Sequence, residues 1–311
     1  MKGKKLALIS KIALFILMGV ATVIVWRNGS GWLEEIDKYN WNINTEEIIL
    51  SALLLAVSLS LTPSGWVLIC HSMGSQIPSR EMFAAWYASQ LGRYIPGKIW
   101  LFAGRAGFLK ARGMKTGRAA ATTVYELFFT VASIGLLVVI LAVINPEVFQ
   151  HSGGRTAALA AASAVLLLPL LHPVQSFFCR KKGIDPEQLP SIKTSVAVTL
   201  IYSFLWFLRG LSLYLLLEGT GLANLKFSHS LAAAPLSWLA GYIVFFVPGG
   251  IGVREAAAAA IAAPALVAPA AVIIAGQRLF MALMEVLLAL LNTGKLKLTP
   301  EQEGSTDVPE E

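Results

Sequence analysis

Hydrophobic runs alternate with short polar connections along the whole chain, and the lengths of the runs sort them into two kinds. A helix rises about 1.5 Å per residue, so about 20 apolar residues cross a hydrocarbon layer of about 30 Å. Residues 6–26, 47–70, 115–144, 195–217 and 265–291 meet that length, and the shorter run 156–171, closed by His172-Pro173, reads as a sixth span. Residues 81–110 and 229–263 differ. Each is broken in its middle, the first at Pro96-Gly97 within QLGRYIPGKIWLFAGR, the second at Pro248-Gly249-Gly250 within FVPGGIGVRE. Proline removes a backbone donor and clashes with the preceding turn, so each reads as two half-helices around a break. Each half is too short to span. Freed backbone groups at membrane depth must face protein or a watery cavity, so both stretches are expected as re-entrant hairpins.

Composition agrees with a membrane protein. Of 311 residues 56% are hydrophobic and 14% charged, with a mean hydropathy of +0.67. The chain is expected to be all-α and polytopic, a single membrane domain over 1–298 with a short acidic tail, 299–311, disordered in the cytoplasm. The net charge of +7 would suggest nucleic acid in a soluble protein. Here the basic residues fall between hydrophobic runs, where anionic headgroups lie, and no basic-aromatic patch for nucleic acid is present. Cys70 and Cys179 give neither a disulfide framework nor a metal spacing.

Sorting the Lys and Arg residues orients the chain. With the N-terminus inside, 16 of the 25 fall on the cytoplasmic side, among them Arg105, Lys110, Arg112, Lys115 and Arg118. Four fall outside, and Arg93, Lys98, Arg209, Arg254 and Arg278 remain at membrane depth. Both termini are therefore expected in the cytoplasm. Pro96 and Pro248 lie 152 residues apart, and that offset superposes the unit at about 47–144 on a second at about 195–294. Each unit holds a span, a broken hairpin and a long span. The topology relates them by inversion, the arrangement in which carriers form a midplane site from discontinuous helices.

The chemistry concentrates at the breaks. Gly97 and the pair Gly249 and Gly250 precede half-helices whose N-termini offer unpaired N–H groups and positive dipole to an anion such as phosphate. A tight turn alone would also call for them. Arg93, Lys98, Arg254 and Arg278 are costly in a bilayer unless they face a cavity or a partner, and guanidinium suits bidentate phosphate contact. Glu126, with Thr122, Thr130 and Ser133 on its face, and Glu285, read as occupying the analogous place in the last helix, are intramembrane acids. They either pair with arginines structurally or relay protons and counter the site's positive charge, and Arg209 is the expected partner of one of them. No nucleophile elbow, metal-ligand spacing or Walker loop is present, so neither enzymatic chemistry nor a cofactor is expected.

GRYIPGKIW followed by a basic stretch, and FVPGGIGVREA, resemble the lysylphosphatidylglycerol synthase transmembrane family over nearly the whole chain, from about Ile9 to Leu298. The resemblance implies that Arg93, Pro96, Gly97, Glu126, Pro248, Gly249, Gly250, Arg254 and Glu255 take motif positions, with Glu255 a third intramembrane acid. It implies a flippase-like activity on a lipid with a charged headgroup, a membrane phospholipid or a polyprenyl-phosphate-linked lipid, in the plasma membrane of a prokaryote. The sequence ends at Glu311 without an aminoacyl-transferase domain, so synthesis of lysylphosphatidylglycerol is not expected of it. The alternative is a non-transporting subunit that docks a glycosyltransferase or lipid-modifying synthase through its basic cytoplasmic loops.

Overall fold

The computed structural model describes residues 34, 36, 37, 39–94, 99–149, 189–222, 225–244 and 247–293. All of its regular structure is helical over these residues. The helices are α1 (Thr45–Leu61), α2 (Pro63–Ser72), α3 (Ser79–Gln90), α4 (Ile99–Ala111), α5 (Thr116–Ile144), α6 (Ile192–Gly219), α7 (Phe227–Ile243), α8 (Val253–Ala262) and α9 (Val267–Thr293). Local chemistry sets several boundaries. The Asn44 side chain caps α1 by accepting from the Glu46 amide at 3.2 Å, and Glu46 and Glu47 meet the positive end of that helix. Ser191 caps α6 through the Thr194 amide at 3.1 Å. Pro63 opens α2, where its missing N–H costs least, so α1 and α2 continue as one 28-residue span from Thr45 to Ser72.

Among the described residues, four helical segments are long and apolar enough to cross a membrane: Thr45–Ser72, Thr116–Ile144, Ile192–Gly219 and Val267–Asn292. Their 26 to 29 residues extend about 39–44 Å, more than the hydrocarbon thickness. They coincide with four of the six spans expected from the pattern. The runs 6–26 and 156–171, the break Pro96-Gly97 with Lys98, and the acidic tail lie outside the described residues. The shorter helices form two hairpins, α3 with α4 and α7 with α8, and their 10 to 17 residues reach at most about 26 Å.

Packing between the halves is reciprocal. Helices α1 and α6 run against one another, α9 packs on the first hairpin through α3, and α5 packs on the second through α7. At the centre the 3-10 turn Leu91–Tyr94 touches the 3-10 turn Pro248–Gly250. Exposed leucines at four-residue spacing, Leu279, Leu283 and Leu287 on α9, form an apolar outer stripe suited to lipid, while Ile274, Arg278, Met281 and Glu285 face inward. Hydroxyls stitch the α1–α6 crossing: Ser51 donates to the Ser212 carbonyl at 2.6 Å and Ser212 returns a bond to the Ser51 carbonyl at 2.9 Å. Small hydroxyl residues allow such close approach where no water competes.

The α6–α7 contact depends on a missing side chain. A Cβ on Gly210 would stand 2.8 Å from the Leu231 Cα, a backbone atom that cannot step aside. Gly210→Ala should therefore lower the thermal unfolding midpoint of the detergent-solubilised protein, by an overpacking cost of about 1–3 kcal/mol. Gly107, exposed in α4 with nothing within 4 Å of its would-be Cβ, provides the comparison. There alanine should leave the midpoint unchanged or raise it, because alanine favours helix by up to about 1 kcal/mol.

Candidate functional site

Where the two 3-10 turns meet, a cavity of about 180 Å³ opens between the hairpins and α1, α5, α6 and α9. An engineered apolar cavity of about 150 Å³ admits benzene, so this one has room for a small polar group with water. Its walls carry Arg93, Arg105, Arg209, Arg254 and Arg278 against Glu126 and Glu285. Glu255 stands behind Arg278 as its partner. Charge of this density away from bulk water requires an account of each group.

Arg105 is the most fully satisfied. It is 2% exposed and lies on the same face of α4 as the buried Leu109 one turn on. Its Nε donates to Ser89 Oγ at 3.0 Å, one terminal nitrogen to Gln90 Oε1 at 2.9 Å, and the other pairs with Glu126 Oε2. The second oxygen of Glu126 accepts from Trp86 Nε1 at 2.7 Å, and the Trp86 ring lies 4.7 Å from the guanidinium. This corrects the placement of Arg105 in a cytoplasmic loop. Helix α4 runs to Ala111 and turns Arg105 inward, so the basic cluster that obscured it in the sequence begins only at Lys110. The spacing from Leu109 was the one sequence signal for it.

Two further pairs anchor the breaks to α9. Arg93 Nη2, in the first 3-10 turn, reaches both oxygens of Glu285 at 2.5 and 2.6 Å. Arg278 pairs with Glu255 and donates to the Gly249 carbonyl at 2.8 Å. Glu285 is not at the analogous place to Glu126: it lies eighteen residues into α9, whereas Glu126 lies ten into α5, level instead with Gln277. Gly249, Gly250 and Gly252 all adopt positive φ, between 61° and 82°, which lets the chain reverse into α8. Glu255 in the first turn of α8 partly neutralises the positive helix end expected there.

Arg209 and Arg254 have no carboxylate within 4 Å among the described residues. Arg209 donates from Nε to Ser58 Oγ at 3.0 Å and from Nη2 to Thr62 Oγ1 at 2.7 Å, with its guanidinium 4.9 Å from the Trp206 ring. Its direct contacts are therefore hydroxyls across the α1–α6 seam, while Glu285, one of the acids expected for it, acts on it only at longer range. Arg254 lies 5.8 Å from the Trp238 ring, and its buried Nε has no hydrogen-bond acceptor among the described residues. Its aliphatic stem crosses Gly241, where a Cβ would come within 2.4 Å of Nε. Gly241, Trp238 and Gln90 escaped the sequence reading, since each acquires its role only from a distant residue. Of the cations assigned to the site, Lys98, like Gly97, lies outside the described residues.

The Arg105–Glu126 pair is a structural element with a measurable signature. Glu126→Ala leaves a buried guanidinium uncompensated and should cost about 3–5 kcal/mol, read as a fall in the unfolding midpoint. The double variant Arg105→Met, Glu126→Leu should recover much of that loss, which a double-mutant cycle would measure directly.

No match to a curated relative was found. The family model described as lysylphosphatidylglycerol synthase TM region matches residues 8–289, from ahead of α1 into the last part of α9, and the chain belongs to that membrane-embedded family.

Proposed function

We propose that the protein is a lipid flippase, moving a lipid with a charged, phosphate-containing headgroup across the plasma membrane of a prokaryote. The observation that carries this reading is the cavity itself, into which five arginines project from partly apolar walls, between spans whose outer faces are apolar. Headgroup and tails of one lipid need those two environments side by side. Guanidinium groups offer forked donors to phosphate oxygens, which favours an anionic group over a neutral one.

In this reading the two hairpins are re-entrant, entering from opposite sides, and the units are related by inversion with both termini cytoplasmic. The reciprocal packing of α9 on the first hairpin and α5 on the second supports it. The headgroup enters between the breaks and meets Arg254, which has no carboxylate within 4 Å among the described residues. It then competes with Glu285 for Arg93 and with Glu255 for Arg278, so these acids act as counter-charges when the site is empty. Passage requires the two units to rock while the tails remain in lipid. No bond is made or broken in this passage.

Reconstitution in liposomes tests the proposal. Purified protein should accelerate the transbilayer exchange of a fluorescent phospholipid or polyprenyl phosphate, and Arg254→Ala should slow it at least about tenfold, the equivalent of about 1.4 kcal/mol. Gly241→Val should act similarly by displacing the Arg254 stem. No acceleration with any such lipid, or an Arg254→Ala protein as fast as the parent, would overturn the reading.

A further inference from the structure

Among the described residues the charges that line the cavity do not cancel, and the surplus bears on the ligand. Three of the five guanidiniums lie within 4 Å of a carboxylate: Arg93 with Glu285, Arg105 with Glu126 and Arg278 with Glu255. Arg209 and Arg254 are left. They are not scattered, for each rides on an indole, and the two indoles pack on one another with ring centroids 5.8 Å apart and planes at 64°. An aromatic face holds a guanidinium in place by attraction to its ring electrons without neutralising its charge. Tyr242, stacked on Trp238 at 4.9 Å, fixes the far side of that platform. Both arginines and both tryptophans line the cavity.

We infer that the cavity is a binding site for a phosphate carrying two negative charges, a monoester or terminal phosphate, held between Arg209 and Arg254. The inference rests on the reading of the cavity as a headgroup site and deepens it, since a diester headgroup carries a single negative charge on its phosphate and leaves one guanidinium uncompensated. A lone cation kept from water is costly, and the cost is removed when the ligand supplies the missing charge. The remaining donors suit this role: Arg209 spends two N–H groups on neutral hydroxyls, and Arg254 Nε has no acceptor among the described residues. Arg93 and Arg278, by contrast, bind the ligand only at the expense of their own acids. Arg209 thus becomes a ligand contact in its own right.

The test is equilibrium binding to the full chain in phosphatidylcholine nanodiscs at pH 8. Calorimetric titration with glycerol 1-phosphate, a monoester, should show affinity at least tenfold above that for glycerophosphoglycerol, a diester. Arg209→Gln and Arg254→Gln should each weaken monoester binding at least tenfold, whereas Arg112→Gln, whose partner is Glu81 away from the cavity, should not. Arg209→Lys and Arg254→Lys keep the charge and should keep the preference for monoester, which separates a lost contact from a lost fold. Equal affinity for the two probes, binding of neither, or full affinity in both glutamine variants would overturn the inference. A second arm adds phosphatidic acid to the discs. Competition with glycerol phosphate upholds a lipid-borne phosphate. Strong glycerol phosphate binding that phosphatidic acid does not displace upholds the dianion site while sinking the lipid headgroup, and so the flippase reading. Transport of diester lipids by a protein with no monoester preference does the reverse.

Discussion

Keeping charge away from water is the constraint on which this structure turns. An ion transferred from water to a protein interior loses several kcal/mol even after relaxation, so each buried guanidinium must recover that loss locally. Arg105 does so with three hydrogen-bonding partners and a ring. To assemble them, α3 must supply Trp86, Ser89 and Gln90 and α5 must supply Glu126, which fixes the first hairpin against its long span. The hairpin is therefore held by electrostatics as much as by the apolar cluster of Trp66, Met82, Trp86 and Leu109 beneath it. The second hairpin is fixed differently. Ala258, Ala259 and Ala262 of α8 pack closely with Leu213 and Leu217 of α6 and Ile274 of α9, and the half-buried ion pair of Glu255 with Arg278 ties α8 to α9.

This asymmetry explains how much could be read in advance. Apolar runs identify spans because a bilayer imposes length and hydrophobicity, and the four described spans fall where those runs lie. The break at Pro248-Gly249-Gly250 was legible for a similar reason, since proline and glycine act on their own backbone. The site was legible only in outline. That Glu126, Glu285, Arg93, Arg254 and Arg278 belong inside follows from the cost of each where it stands. Which acid meets which arginine does not, because pairs such as Arg93 with Glu285 join residues 192 positions apart. Arg105 was misplaced because it adjoins a true basic cluster. Gly241 was invisible because a glycine in a helix reveals nothing about the side chain that will cross it.

The partition of the arginines also separates two tasks that share one residue type. Saturated arginines organise the protein, and a group whose donors and charge are already spent has little to offer a ligand. Arg209 and Arg254, with no carboxylate within 4 Å among the described residues, keep their charge available. For these two, tryptophan positions a half-buried cation while leaving its field available. Burial and charge alone would rank Arg105 first among the residues lining the cavity; the accounting of partners ranks it last.

One feature of α9 carries a mechanical implication. Arg278 and Glu285 are seven residues apart on a single continuous helix, about 10.5 Å along its axis, and each grips a different break. A helix of that length behaves as a rigid rod on the scale of its own pitch. The two turns are consequently linked like levers on one shaft: sliding or rotating α9 loosens or tightens both grips in the same stroke. A displacement that breaks one grip therefore bears on the other, because both are made by side chains of one covalent helix.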